Sequence, residues 1–563
     1  GGHKMSSLVI FGLLIVLMLT GMPISIALGL TVLTFLFTMT NVPIESVALK
    51  LFTGIEKFEI MAIPFFILAG NFLTHGGVAK RMINFATSLV GHWHGGLGLA
   101  GVLACALFAA VSGSSPATVV AIGSILLPAM VKAGFPKRFG AGIITTSGAL
   151  GILIPPSIVM VMYSVATNAS VGTLFMAGVI PGLVLAFLLG LTSWYRARRG
   201  GYPRVMLFPD RSSLQATIGG LFGGFYALVF TVVPPWIIGS ALANVIPNPG
   251  FAYFLAGAGW LALSPWTTRN KWVTRIIYIG LIVIGLPMYA SLLLVESFAV
   301  ASPVYASFIP VVIMLVWLTI IQACGSYTHI SPTFRFELLW ESLEVWRAYW
   351  NGIWGLLLIV VVMGGIYTGI FTPTEAAAMS AVYAFVVAVF VYKDLRMRDV
   401  PRVLLDSANM SAMLLYIITN AVMFSFIMTD QNIPQHLADW LLSQGLGPVA
   451  FLLAVNILLL LAGNVMEPSS IVLIMAPILF PVAIKLGINP IHFGILMTVN
   501  MEVGMCHPPV GLNLYVASGI TEMGITELTK AVWPWLLTMV LFLLLVTYYP
   551  PLSLWLPNML GMH

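Results

Sequence analysis

No Asp, Glu, Lys or Arg occurs from Met5 to Pro43, Ile60 to Ala79, Met82 to Val131, Phe139 to Tyr195, Ser212 to Thr268 or Ala531 to His563. A bilayer crossing needs about 20 apolar residues, so stretches of this length fold back at least once. Their Leu, Ile, Val and Phe runs lack the short alternating segments of a spanning barrel, which leaves helices. Only 7% of the 563 residues are charged and 60% are hydrophobic, where a soluble domain carries roughly 25% charged. That excludes a soluble enzyme, a disordered chain and a nucleic-acid partner. The net charge of +6 belongs to membrane topology instead. The expected fold is an all-α polytopic inner-membrane protein with about 14 full crossings and two hairpins that enter and return. Residues 1–5, in which Gly1–Lys4 precede Met5, read as an artificial remnant extraneous to the fold.

Lys and Arg collect at Lys80–Arg81, at Lys132 with Lys137–Arg138, at Arg196 to Arg211, at Arg269 to Arg275 and at Lys393 to Arg402. The positive-inside bias places all five clusters in the cytoplasm, so an even number of crossings separates any two. A self-similarity at an offset of about 350 residues adds a second constraint. Thr20-Gly21 pairs with Thr368-Gly369, and Ser115-Pro116-Ala117-Thr118 with Glu467-Pro468-Ser469-Ser470. Further along, Phe139-Gly140 pairs with Phe493-Gly494, Gly151 with Gly504, Pro155-Pro156 with Pro508-Pro509, and Pro181 with Pro534. The first copy spans 6–204, with a hairpin over about 95–131 and a broken helix over about 139–165. The second spans 337–563, with a hairpin over about 447–486 and a broken helix over about 492–516. Between them, 205–336 holds about four apolar spans and reads as added scaffold. By crossing parity the copies enter from opposite faces, the inverted-topology repeat of secondary transporters.

Each copy has two interruptions. They are Ser112–Thr118 and Gly148–Ser157 in the first, Asn464–Ser470 and Glu502–Asn513 in the second. A Pro-Pro pair removes two backbone donors and forces the preceding residue out of helical geometry. The freed carbonyls and amides cannot face lipid, so they line a cavity or are buried in protein. Unwound carbonyls and Ser/Thr hydroxyls suit an alkali cation, and half-helix N-termini suit an anionic substrate. Glu467 and Glu502 are costly at such depth; each could ligate a cation, neutralise local charge or cap a half-helix. Cys105, Cys324 and Cys506 lie too far apart for a thiolate site, and no ATP-binding loop or HExxH occurs, which leaves an ion gradient as the energy source and no catalytic residues.

The segments Ser112–Thr118, Gly151–Ser157, Gly364–Ala376 and His507–Asn513 resemble the large membrane subunit of tripartite ATP-independent periplasmic (TRAP) transporters. The resemblance implies a sodium-driven importer of small carboxylates. It implies as partners a small membrane subunit and a periplasmic substrate-binding protein, and an elevator motion of hairpins and broken helices past a scaffold. By motif position it assigns one transported Na+ to Ser114, Ser115, Thr118, Gly148 and Pro155. A second falls to Asn464, Ser469, Ser470, Gly504 and Pro508. Ser112, Ser157, Glu502, His507 and Asn513 are the expected substrate contacts. In the family a short cytoplasmic segment usually joins the copies, so 205–336 is a departure that could substitute in part for the small subunit. A proton-coupled or binding-protein-independent carboxylate carrier is the rival within transport. A passive channel or membrane scaffold is the rival outside it.

Overall fold

A computed structural model describes most of residues 2–204, 336–463, 468–507 and 511–562, with a few short stretches of the segment between. The expectations for 205–336, Asn464, Glu467 and Pro508 lie almost wholly outside the described residues. The described residues are all helical where regular, and they divide into two units.

The first unit comprises residues 1–86, 97–203 and 352–563. It opens with α1 (Gly2–Leu19), α2 (Ile24–Met39), α3 (Ile44–Thr53), α4 (Ala62–Thr74) and α5 (Gly77–Val90), the last two bent by 72°. Helix α1 includes residues 2–5 of the stretch read as a remnant. Then come α6 (Gly96–Ser112), α7 (Ser115–Lys132), α8 (Lys137–Ser147), α9 (Ile158–Thr167) and α10 (Val171–Gly200). In the second half, α11 (Phe336–Asn351) belongs to the other unit, and α12 (Ile353–Thr368), α13 (Pro373–Val386) and α14 (Val400–Asp430) follow. The chain continues through α15 (Pro448–Ala462), α16 (Pro468–Lys485), α17 (Pro490–Cys506), α18 (Leu512–Thr521), α19 (Ile525–Tyr548) and α20 (Pro551–Met559).

Local chemistry sets these boundaries. Ser170 accepts a bond from Thr173 N at 3.3 Å to start α10, Thr372 caps α13 through Glu375 N at 3.2 Å, and Asn489 caps α17 through Ile491 N at 2.9 Å. Each satisfies one amide orphaned at a helix start. Prolines open α7, α13, α15, α16, α17 and α20, where the missing N–H costs nothing.

Six single helices among the described residues are long and apolar enough to cross a bilayer, including α7, α10, α16 and α19. Residues 139–165, where the sequence places a broken helix, fall into α8 and α9 with a break between them.

Helix α17 is the centre of the unit: every residue from Ile491 to Cys506 is buried. Gly494 admits the ring of Tyr163, whose hydroxyl donates to Pro490 O at 2.6 Å. A chain of buried polar groups fastens α15, α17, α19 and α20. Asn500 Nδ2 donates to Asn456 Oδ1 at 3.1 Å, Asn456 Nδ2 to Thr547 Oγ1 at 2.8 Å, and His492 Nδ1 pairs with Ser553 Oγ at 2.8 Å. Lipid tails give helices no hydrophobic reason to associate, so such bonds and close glycine packing take that role. A second group gathers α4, α13 and α14, with α2 also against α14. There Asp394 accepts from Gly77 N at 3.0 Å and from Arg81 at 3.3 Å, while the Arg81 guanidinium lies 3.6 Å from the Tyr392 ring centroid.

The second unit, residues 87–96 and 204–351, is described in small part. Within it Thr217 Oγ1 pairs with His92 Nε2 and accepts from Trp93 Nε1, both at 2.6 Å. On α11, Arg347 pairs with Glu344 at 3.3 Å.

Helix α8 meets α19 at Gly142, where a Cβ would stand 2.4 Å from the buried Trp535 ring and 2.7 Å from Ala531 O. Gly142→Ala is expected to destabilise the protein by about 1–3 kcal/mol through overpacking. A lowered thermal unfolding midpoint of the purified protein in detergent checks this; an unchanged midpoint contradicts the packing.

Candidate functional site

Helix α6 ends at Ser112, and Gly113 turns the chain at φ +65°, a conformation that L side chains avoid. Ser114 is extended and Pro116 opens α7. The turn gathers oxygen: Thr118 Oγ1 donates to Ser114 O at 2.8 Å and lies 3.1 Å from Ser112 Oγ. Helix α8 gives way at Gly148 to one 3-10 turn, followed by non-helical residues up to Ser157. The two prolines explain it, since neither donates to a helix and Pro155 excludes Ile154 from one.

This break faces the α6–α7 turn. Ser115 Oγ donates to Gly148 O at 2.8 Å, and Ile158 N donates to Gly113 O at 3.4 Å. A Cβ on Gly151 would stand 2.5 Å from Ser114 O, so only glycine lets the two backbones approach. In the second half, a Cβ on Gly463 would stand 3.2 Å from Gly504 Cα. Helix α17 ends at Cys506, with His507 already extended. Ser470 Oγ and both carboxylate oxygens of Glu502 are buried without a hydrogen-bond partner among the described residues. Asn464, Glu467 and Pro508 lie outside the described residues.

One side chain links the halves directly. Asn513 on α18 is fully buried. Its Nδ2 donates to Ser115 Oγ at 2.8 Å and to Thr145 O at 3.1 Å, and its Oδ1 lies 3.0 Å from the same Ser115 oxygen.

The two sets of breaks line a single cavity of about 520 Å³, within the usual range for a small-molecule site. Four helix N-termini reach it, through Ser115–Ala117 of α7, Ile158–Val159 of α9, Pro468–Ser469 of α16 and Leu512 of α18. Each carries roughly half a positive charge. None of the described lining residues is charged. The opposite wall is Ile67, Gly70, Asn71 and Thr74 of α4 with Met410, Met413 and Leu414 of α14.

Of the residues expected to touch substrate, Ser112 lines this cavity, whereas Ser157, Glu502, His507 and Asn513 do not. Ser157 is the N-cap of α9: its Oγ donates to Ile152 O at 2.6 Å and accepts from Met160 N at 3.4 Å. Asn513 is spent on Ser115, and Glu502 is enclosed in α17. Of the expected cation ligands, Ser114, Ser115 and Ser469 line the cavity, while Thr118, Gly148, Pro155, Ser470 and Gly504 are not among its lining residues. Sequence reasoning missed the α4 and α14 wall. Its available signal was Asn71, an amide inside a charge-free stretch. Among the described residues no three His, Cys, Asp or Glu side chains group as a metal site.

The family model for the tripartite ATP-independent periplasmic transporter, DctM component, matches residues 11–283 and 278–552. The chain belongs to this family. It is therefore a multi-pass inner-membrane permease subunit of a transporter, and not an enzyme. The permease is 59% identical over 99% of its length, and 100% of the other's, to the C4-dicarboxylate TRAP transporter large permease protein of Rhodobacter capsulatus. It is 41% identical, over 95% of each chain, to the protein of the same description from Pseudomonas aeruginosa. Among solved structures, the Alcanivorax borkumensis YdaH transporter aligns over 94% of this chain and 89% of that one, with a TM-score of 0.47 at 15% identity. The Rhodobacter match is nearly end to end, so the segment 205–336 is shared with that relative rather than private to this permease.

Gly151→Ala is expected to push the α6–α7 turn off the first break and lower uptake by about tenfold or more, since misplacement near 1 Å costs that much at positioned sites. Uptake into proteoliposomes at matched protein content checks it; activity equal to the parent contradicts the contact.

Proposed function

We propose that this permease imports C4-dicarboxylates across the inner membrane, coupled to sodium, with substrate delivered by a periplasmic binding protein and with a small membrane subunit as partner. The observation that carries the reading is the convergence of four helix N-termini on one cavity whose described lining holds no charged residue. Main-chain dipoles there favour an anion without a fixed cationic side chain, as expected of a site that must release its cargo. The descriptions of the two relatives supply the class of anion.

Sodium is favoured over protons by the donor set. The groups beside the cavity are hydroxyls and main-chain carbonyls, at Ser112, Ser114, Thr118, Ser115 and Gly148 in the first half. Neutral hard oxygens suit an alkali cation. Ser469, Ser470 and Gly504 take the corresponding roles in the second half, with Asn464 and Pro508 assigned by motif alone. Pro155 shapes the first site by opening the backbone around it. Of the two carboxylates that a proton-coupled carrier would use, Glu502 does not line the cavity and Glu467 lies outside the described residues.

The two halves are read as an inverted repeat. In both, a helical hairpin precedes an interrupted helix, α6–α7 with α8–α9 and α15–α16 with α17–α18. In this reading the hairpins and broken helices move as one block past α4 and α14. Gly70 of α4 marks the sliding surface, because a Cβ there would stand 3.2 Å from Ser112 O. One charge moved through 100 mV is worth about 2.3 kcal/mol, so a dianion entering an inside-negative cell costs roughly twice that. Two Na+ cancel the cost, and a third would make uptake electrogenic.

The test is uptake of radiolabelled succinate by proteoliposomes holding the permease, its small subunit and the binding protein. An inward Na+ gradient is expected to drive accumulation, and replacing Na+ with choline to abolish it. Accumulation that persists in choline under an imposed proton gradient would overturn sodium coupling, and equilibration without accumulation would favour a channel. Gly70→Val is expected to slow uptake by about tenfold, the equivalent of ~1.4 kcal/mol on the moving step. Sodium-dependent thermal stabilisation of the same variant should stay as in the parent.

A further inference from the structure

The geometry points to Asn513 as the group that receives the Ser115 hydroxyl hydrogen when a cation occupies the first-half site, so that α18 of the second half reads the occupancy of the first. This rests on the assignment of Ser115 and Gly148 to a sodium site.

The argument begins with a surplus. Ser115 Oγ has one hydrogen and two acceptors in reach, Gly148 O at 2.8 Å and Asn513 Oδ1 at 3.0 Å. Asn513 Nδ2 also donates to that oxygen, at 2.8 Å. With no cation present, the consistent arrangement has the hydrogen on Gly148 O and the Asn513 amide donating to Ser115. A cation held by Ser115 Oγ and Gly148 O excludes that arrangement, because a hydrogen cannot point into the space between them that the ion fills. The hydroxyl must turn, and Asn513 Oδ1 is the acceptor placed to take it. Asn513 then accepts from Ser115 and keeps its donor bond to Thr145 O, at 3.1 Å.

All the groups in this exchange are buried. Ser115, Thr145 and Asn513 are each 0% exposed. Water therefore offers no substitute acceptor, and a buried hydroxyl hydrogen without one costs a substantial part of a hydrogen bond. The linkage is one-sided by sequence: Asn513 lies on the second broken helix, and its counterpart at the repeat offset in the first is an apolar methionine, Met160. Since α18 also presents Leu512 to the cavity, the residue after it in sequence reports the ion while it borders the substrate. Asn513 is a positioning residue in this scheme. Its expected effect is on how much sodium is needed, separate from any contact with cargo.

The purified full-length permease in detergent, melted at a series of NaCl concentrations balanced with choline chloride, provides the test. The parent should gain thermal stability with sodium. Asn513→Leu should need about tenfold more sodium for the same gain, the scale of one buried hydrogen bond. Asn513→Asp keeps the acceptor and loses the donor, so it should respond to sodium at least as well as the parent. A donor needed only to brace Thr145 would fail in both variants, and that result overturns the proposal. In a Ser115→Ala background there is no hydrogen to relocate, so adding Asn513→Leu should shift the sodium requirement by less than about twofold. A parent-like sodium response in Asn513→Leu would overturn the role of Asn513 and leave the sodium site standing. A parent with no preference for Na+ over choline would overturn both.

Discussion

A main chain stripped of its helical partners cannot face hydrocarbon, and the rest of this structure follows from where those freed groups go. Pro155–Pro156 opens the first broken helix, and the carbonyl side of that opening meets the α6–α7 turn. Glycine at 113 and 151 lets the two backbones approach to distances no side chain would allow. The same opening leaves the α9 start pointing at the cavity, and α7, α16 and α18 do likewise. One constraint thus exposes both kinds of main-chain group, carbonyl oxygen and amide hydrogen, and the proposed function assigns the first to a cation and the second to an anion.

The remainder of the first unit holds those openings in place. Helix α17, buried throughout its length after Pro490, is tied to α15 through Asn456 and Asn500 and to α20 through His492 and Ser553. The group around α4, α13 and α14 is tied separately, by the Arg81–Asp394 pair and by Asn71 donating to Ser407 Oγ at 2.7 Å. The cavity lies where these two groups face each other, and Gly70 keeps their contact thin.

Proline and glycine act locally, which is why the places where helices stop were legible in the sequence. The turn at Ser112–Ser115 and the loss of helix after Gly148 occur at residues whose own chemistry demands them. Contacts between distant residues were not legible. Nothing near Asn513 announces a hydrogen bond to Ser115, 398 residues away. Ser157, expected as a substrate contact, also stands directly before an apolar run, the place of a helix cap, and in the structure it caps α9. The α4 and α14 wall was missed for a related reason: Met410, Met413 and Leu414 look like any apolar helix face until a cavity is seen beside them.

The division of labour in the cavity wall bears on how a protein of this kind can diversify. The parts disposed to hold negative charge are peptide groups, which point substitutions leave in place so long as the breaks persist. The parts that shape the remaining space are ordinary side chains on α4 and α14. Codon changes at Asn71, Thr74, Met410 or Met413 would reshape the berth for a longer or bulkier acid while the broken-helix backbone, to which the proposed function assigns the ion, stays intact. A lineage built this way can explore new nutrients without first surrendering its engine.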